Sequence, residues 1–158
     1  MKKQIKIKKA VQRDIPAMFE LCKEMIDFHK ERDKFFTLRA GADKKWFKFI
    51  TGHISSKKST VLVAEHNGRL VGHCLAFISE YPPVLTTKRY GLFQELAVTA
   101  DYRRSGIGQR LVDEMLKWFR KRRIKRLEVR VSVFNEISTA FWRKMGFKPY
   151  LETLCLEI

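Results

Sequence analysis

The stretch of this chain densest in chemically useful groups is Arg103-Arg104-Ser105-Gly106-Ile107-Gly108, set between a β-rich run and a helical one. Two glycines let backbone N–H groups approach a ligand with no Cβ in the way. A helix N-terminus adds a positive dipole, and the two arginines add full charges. Residues of these types in this order suit a pyrophosphate. The plainer reading is a glycine-containing turn that only starts a helix. Other phosphate motifs fit less well. No GxxxxGK[ST] occurs, which excludes a nucleotide-hydrolysing P-loop, and a dinucleotide fingerprint needs a third glycine where Leu111 stands.

The elements that must position this turn follow from periodicity. Ile5 and Ile7 alternate with lysines as a short first strand. Asp14, with Pro16 behind it, is the expected N-cap of a helix reaching about residue 32, with Met18, Leu21, Cys22, Met25 and Phe28 as its apolar stripe. A second helix is expected from Asp43 to about Ser55. Runs at 61–65 and 70–78 flank Asn67-Gly68, which predicts a type I′ hairpin. A strand over 92–99 leads into the turn. The helix after it buries Ile107, Leu111, Met115 and Trp118, and a strand over 127–133 and a helix over 136–145 follow. Gly146-Phe147 opens a last extended stretch. Strands alternating with helices give an α/β layer structure, in which the strands at 92–99 and 127–133 are parallel through a right-handed crossover.

Composition narrows the class. The chain has 158 residues, 45% of them hydrophobic and 32% charged, which fits one domain with a sizeable core. The longest apolar run, 74–78, is five residues, and the lysine-rich start has no apolar h-region, so neither a membrane span nor a secretory signal is expected. Cys22, Cys74 and Cys155 are an odd number without a CxxC pair, which suits a reducing cytoplasm. The four histidines share no metal spacing. The net charge of +16 attracts anions, and seven of the positive charges fall within 117–126, which holds no acid. That run is read either as cations favoured at a helix C-terminus or as a patch for nucleic acid. Glu20, Glu24, Asp27 and Glu31 form an acidic ridge on the first helix, read either as a lure for a cationic amine or as a solvated face paired with Lys23 and Lys30.

Three blocks in sequence resemble the GNAT superfamily of N-acetyltransferases. Arg103, Gly106 and Gly108 meet its [Q/R]xxGx[G/A] signature for acetyl-CoA. Glu95-Leu96-Ala97-Val98 is similar to the strand before that signature. Asn135, then Phe141, Trp142 and Gly146-Phe147, is similar to its second block, N…Y…GF. The resemblance implies a single α/β domain over residues 1–158, built on a mixed, mostly antiparallel central sheet. A parallel pair would flank the cofactor cleft, with helices on both faces. It further implies acetyl-CoA as cosubstrate, no metal, an amine acceptor on a small molecule or a protein, and no membrane role; a homodimer is left open.

Residue by residue, the resemblance implies that amides of Arg104, Ser105, Gly106, Ile107 and Gly108 hold the pyrophosphate, with Arg103 beside them. Pantetheine would pair with the open strand edge at Leu96, Ala97 and Val98, and the amide near Val98 would face the thioester oxygen. Asn135 would touch the pantetheine arm, cap a helix, or do both. Attack by a neutral amine requires removal of a proton from a group with pKa about 10. Glu95 is the nearest carboxylate and is read as base or amine anchor, against a salt-bridged strand residue or an ordered water. Alternation sets Gln94 and Leu96 on one strand face and Glu95 on the other. The family's tyrosine acid is replaced by Trp142, which packs over the pantetheine or acetyl group or fills core. Tyr150 and Tyr102 are the remaining acid candidates, although a thiolate of pKa about 8.5 can leave unassisted. The competing class is a non-catalytic module that holds CoA or nucleic acid on the same fold.

Overall fold

A hairpin organises the sheet in the computed structural model, which describes residues 4–158; the first three residues of the lysine-rich start lie outside it. β2 (Ser59–His66) and β3 (Arg69–Glu80) are joined by Asn67 at φ 50 and Gly68 at φ 76, the two positive values that a type I′ turn requires. β1 (Lys6–Lys9) adds antiparallel to β2, and β4 (Arg89–Val98) adds antiparallel to β3. β5 (Leu127–Val129) lies parallel to β4, giving the five-stranded order β1-β2-β3-β4-β5. The mixed, mostly antiparallel sheet and its single parallel pair are therefore as expected.

Helices cover both faces. α1 (Ile15–Lys30) and α2 (Ala42–Ser55) pack one side over Met18, Ile50, Val61, Val63 and Leu75. On the other side α3 (Ile107–Lys121) packs over Val71, Cys74, Ala76 and Phe93, joined by Trp142 of α4 (Glu136–Lys144). The α3 stripe is as spaced in the sequence, with Val112 and Phe119 added to its buried set.

Three local expectations are corrected. Asp14 does not cap α1; its carboxylate accepts from Val11 N–H at 3.0 Å and closes the short 3₁₀ turn over Gln12–Asp14 instead. β5 stops at Val129 rather than 133, because its partner strand turns away. Glu95 pairs with Leu75 and Phe93 with Ala76, so Gln94 is an extra residue in β4, a β-bulge that bends the strand. The parallel ladder ends at that level, with Phe93 opposite Val129. The last extended stretch, residues 148–158, joins no strand.

Candidate functional site

The bulge at Gln94 sets the geometry of the site. Phe93 and Leu96 both pack toward α3, although an odd separation on a regular strand would put them on opposite faces. Glu95 is thereby turned to the α1–α2 face. The expected split between Leu96 and Glu95 holds, and Gln94 is exposed at the bulge itself. Main-chain directions follow as well. Thr99 N–H donates to Val71 O at 3.0 Å, so alternation points the amides of Val98 and Leu96 away from β3, into the gap that β5 has left.

Glu95 is held from two sides. Its Oε1 accepts from Trp46 Nε1 at 3.2 Å and its Oε2 meets His73 Nε2 at 3.1 Å. Its side chain is 11% exposed, and that of His73 is wholly buried. A tryptophan N–H only donates, and each carboxylate oxygen keeps a second lone pair for another proton donor. With the His73 proton on Nε2, facing the carboxylate, Nδ1 is a bare ring nitrogen, and it has no partner among the described residues. The Glu95 charge reaches further. The Cys22 thiol is pushed up to about 12, by burial first and by Glu95 second. Burial lowers His53, which Glu95 partly offsets.

Beyond β4 the chain makes a 3₁₀ turn over Ala100–Tyr102 and enters the glycine segment. Arg104 stands at φ 56 and Gly106, the residue before α3, at φ 82. Nothing lies within 4 Å of a Cβ built on Gly106, so its requirement is conformational and not one of space. Arg110 N–H closes the first helical bond, onto Gly106 O at 3.0 Å. Among the described residues, the N–H groups of Arg104 to Gln109 donate to no carbonyl, and they cluster at the positive end of α3. A Cβ on Gly108 would sit 3.3 Å from the Phe141 ring, so α3 and α4 meet closely there.

Arg103 is turned back toward the strand. Its Nε donates to Val98 O at 3.1 Å, and its terminal nitrogen meets Glu24 Oε1 at 3.2 Å. Glu24 also accepts from Ala100 N–H at 2.7 Å and from Thr99 Oγ1 at 2.9 Å. This corrects the reading of the acidic ridge at that position: Glu24, still partly exposed, pairs with the turn after β4 and not with Lys23, which reaches Glu20 instead.

The remaining candidates separate. Asn135 caps α4, accepting from Ser138 N–H at 2.9 Å, and is almost buried. Trp142 is 5% exposed and packed against Phe93, Phe141 and Phe147, so it fills core. Burial of a ring this size contributes about 1.5–3 kcal/mol. Tyr150 is 65% exposed beneath Arg126, which lies at the level where β5 begins. Register puts that roughly 20 Å along β4 from Val98, too far for a proton donor there. The Tyr102 hydroxyl meets His66 Nδ1 at 2.7 Å, on the β2–β3 hairpin.

His73 and Trp46 are the partners of Glu95 that sequence reading missed. The available signal was a lone histidine inside the apolar run from Val71 to Ile78, facing a strand that carries a lone carboxylate.

Two depressions flank α1. A cleft of about 720 Å³ against the hairpin touches the site only through Glu24 and Thr99, and its Lys8 and Glu65 already pair with each other. A groove of about 690 Å³ against the α1–α2 connection is lined by Phe19, Leu38 and Phe47. The Phe19 ring packs on Trp46 at 5.6 Å, one side chain from Glu95. No three His, Cys, Asp or Glu side chains gather as a metal site among the described residues, and none of their helices is long and apolar enough to cross a membrane.

Comparison with known proteins agrees with this architecture. The profile of the acetyltransferase (GNAT) family matches residues 17–147. A protein of Archaeoglobus fulgidus described as an uncharacterized N-acetyltransferase is 29% identical over 105 residues, 66% of this chain and 69% of its own. A mutant of a Bacillus halodurans protein superimposes with a TM-score of 0.86 at 18% identity, over 97% of this chain and 99% of that one. A Clostridium acetobutylicum structure, described as a predicted acetyltransferase with acetyl-CoA, gives 0.81 at 19% identity, over 98% and 96%.

Proposed function

The chain belongs to the acetyltransferase (GNAT) family, and on that premise we propose that it moves the acetyl group of acetyl-CoA onto a primary amine by direct attack in a ternary complex. The observation that carries the reading is the edge of β4 beyond its pairing with β5, where the amides of Leu96 and Val98 have no acceptor among the described residues, between the bare N-terminus of α3 and the buried Glu95 carboxylate. A catalyst for this reaction has to grip a diphosphate, orient a thioester and take a proton from an ammonium group. Residues for all three lie along one strand and the turn that leaves it.

The cluster of unpaired amides from Arg104 to Gln109 fits the diphosphate of the cosubstrate, with Arg104 as the adjacent cation. When bound, acetyl-CoA supplies the activated acyl group. Leu96 and Val98 hold the thioester arm against the strand edge, and Val98 N–H points at the oxygen that gains negative charge. One such donor is worth about 10²–10³ in rate. Asn135, whose Oδ1 is engaged as a helix cap, presents its NH₂ to the same arm. Glu95 takes the proton of the incoming ammonium on the α1–α2 face, steadied by Trp46 and His73. The groove beside Phe19 supports an acceptor entrance on that face. No acid is assigned to the leaving sulfur, because a thiolate of pKa about 8.5 departs readily in a field as positive as this one.

The surface charge also bears on the acceptor. A net +16 repels polycations, so an amine with a single positive charge suits this protein best. Its cysteines are unpaired, which supports a reducing, cytoplasmic setting. Far from the site, Arg120, Lys121, Arg123 and Lys125 make no ion pair among the described residues, and Arg122 stacks on Trp118 at 4.2 Å. These features support a second partner, a single-stranded nucleic acid, at the far end of α3.

The test of the enzymatic reading is release of CoA thiol from acetyl-CoA with a panel of small amines, peptide N-termini and lysine peptides. Amine-dependent release is expected. CoA binding in calorimetry with no release for any amine would instead establish a non-catalytic holder of CoA.

A further inference from the structure

We infer that Arg103 and Glu24 form a positioning pair for the Val98 peptide, and that Arg103 is not a ligand of the diphosphate. The inference rests on the site reading above and deepens it.

Arg103 is the first residue of the sequence block that meets the glycines, and its charge is directed away from them. The guanidinium fork spans two acceptors, Val98 O at 3.1 Å and Glu24 Oε1 at 3.2 Å. A lysine's single ammonium lacks that fixed planar geometry. The far side of the same guanidinium stands 5.6 Å from the centre of the Phe28 ring on α1. Glu24 neutralises the charge locally, which leaves Arg104 as the cation of the turn without an ion pair among the described residues.

Glu24 does more than balance charge. One carboxylate receives Ala100 N–H, Thr99 Oγ1 and the Arg103 guanidinium, so α1 is tied to three successive points of the chain leaving β4. These contacts hold the strand end on the edge that β5 has left, while β3 holds the other edge through Thr99 N–H onto Val71 O at 3.0 Å. The last ladder position of β4 opposite β3 is Val98, paired with Gly72, and β5 has already gone at Phe93. In an extended strand the N–H and C=O of one residue point the same way. Fixing the Val98 carbonyl therefore fixes the torsions that aim Val98 N–H into the gap. The pair thus acts on the oxyanion donor through the backbone, and the diphosphate is left to amides that need no side chain.

The test compares Arg103→Met and Glu24→Gln with the native protein in two separate readouts. Expected are a fall in kcat of about 10- to 100-fold at saturating acetyl-CoA and a CoA dissociation constant, from calorimetry, within about threefold of native. The double variant should be no worse than Arg103→Met alone, because the two residues act as one unit. A CoA affinity weakened tenfold or more with kcat intact would make Arg103 a phosphate ligand and overturn the inference. Amide hydrogen exchange on the free protein tests the tie without turnover: Ala100 N–H should exchange faster in Glu24→Ala, and an unchanged rate would sink it. Native protein that takes up no CoA would overturn the site reading itself, a result distinct from either.

Discussion

Replacing Glu95 with glutamine isolates its charge with little change of volume. The introduced amide would still accept from Trp46 Nε1 through its oxygen. Its NH₂ would face His73 Nε2, where the carboxylate had accepted. The imidazole can answer by moving its proton to Nδ1. That atom is buried and has no partner among the described residues, so an unsatisfied donor replaces an unsatisfied acceptor. The cost is about 1–3 kcal/mol, a fall in Tm of roughly 3–10 °C for a chain of this length. The catalytic loss is larger and of another kind: a missing general base lowers the rate by about 10²–10⁴. It should also be pH-dependent, since an amine of pKa about 10 deprotonates itself in alkaline solution and then needs no base. Acetyl transfer followed from pH 6 to 10 should show a large deficit at neutral pH that narrows about tenfold per pH unit. CoA affinity should not change, because Glu95 lies on the sheet face opposite α3. A folded variant with kcat/KM within threefold of native across that range would refute the assignment of Glu95 as base.

Gly106→Val forces a β-branched residue to φ 82, costing about 1–2 kcal/mol of backbone strain and misaligning the amides around it; calorimetry should show CoA affinity reduced at least about tenfold. Trp142→Tyr should lower Tm and leave kcat unchanged, since the side chain is core; a tenfold gain in kcat would restore this position as the seat of an acid. The Cys22 thiol, raised to about 12 chiefly by burial, contributes stability that is complete below its unfolded value near 9 and is lost as pH rises toward 12. Urea melts between pH 9 and 11 should therefore lose about 1.4 kcal/mol per pH unit less in Cys22→Ala than in native protein. Retention of single-stranded RNA at low salt should disappear when Arg120, Lys121, Arg123 and Lys125 are all changed to Glu, with kcat untouched; native protein that retains no RNA at low salt removes that partner.

Residues whose neighbours are close in sequence were legible before the fold was known. The Asn67-Gly68 hairpin, the α3 stripe and the Asn135 cap each depend on local spacing, and all three form. The parallel pairing of β4 with β5 followed from the crossover rule. What could not be read depends on register between distant segments. His73 reaches Glu95 only because β3 pairs with β4 one residue out of a regular ladder. Glu24 looked like a surface acid on its own helix, and its partners lie 75 to 79 residues on. Asp14 had the right type and place for a cap, yet the 3₁₀ turn before α1 offered its carboxylate a nearer amide. Trp142 occupies the expected helix, and its size sends it into the space between Phe93 and Phe147.

The extra residue in β4 explains why one strand can serve both reactants. From Gly91 to Phe93, β4 is paired on both edges, to β3 and to β5, and its main chain there is closed to a ligand. At Gln94 the strand bends, its second edge opens, and the side-chain phase shifts by one. That single irregularity places the Leu96 and Val98 amides in the gap while keeping the Glu95 carboxylate on the face lined by α2. On an unbulged strand Glu95 would share the face of Phe93, among Phe119, Trp142 and Phe147, where an ionised carboxylate would be desolvated without a donor. Deleting Gln94 should therefore remove acyl transfer by straightening the strand and closing its edge against β5, while Glu95, then next to Phe93 in the chain, stays on the α1–α2 face. No substitution at Gln94 that preserves chain length should do so, because the bulge is a matter of residue count and its side chain is exposed.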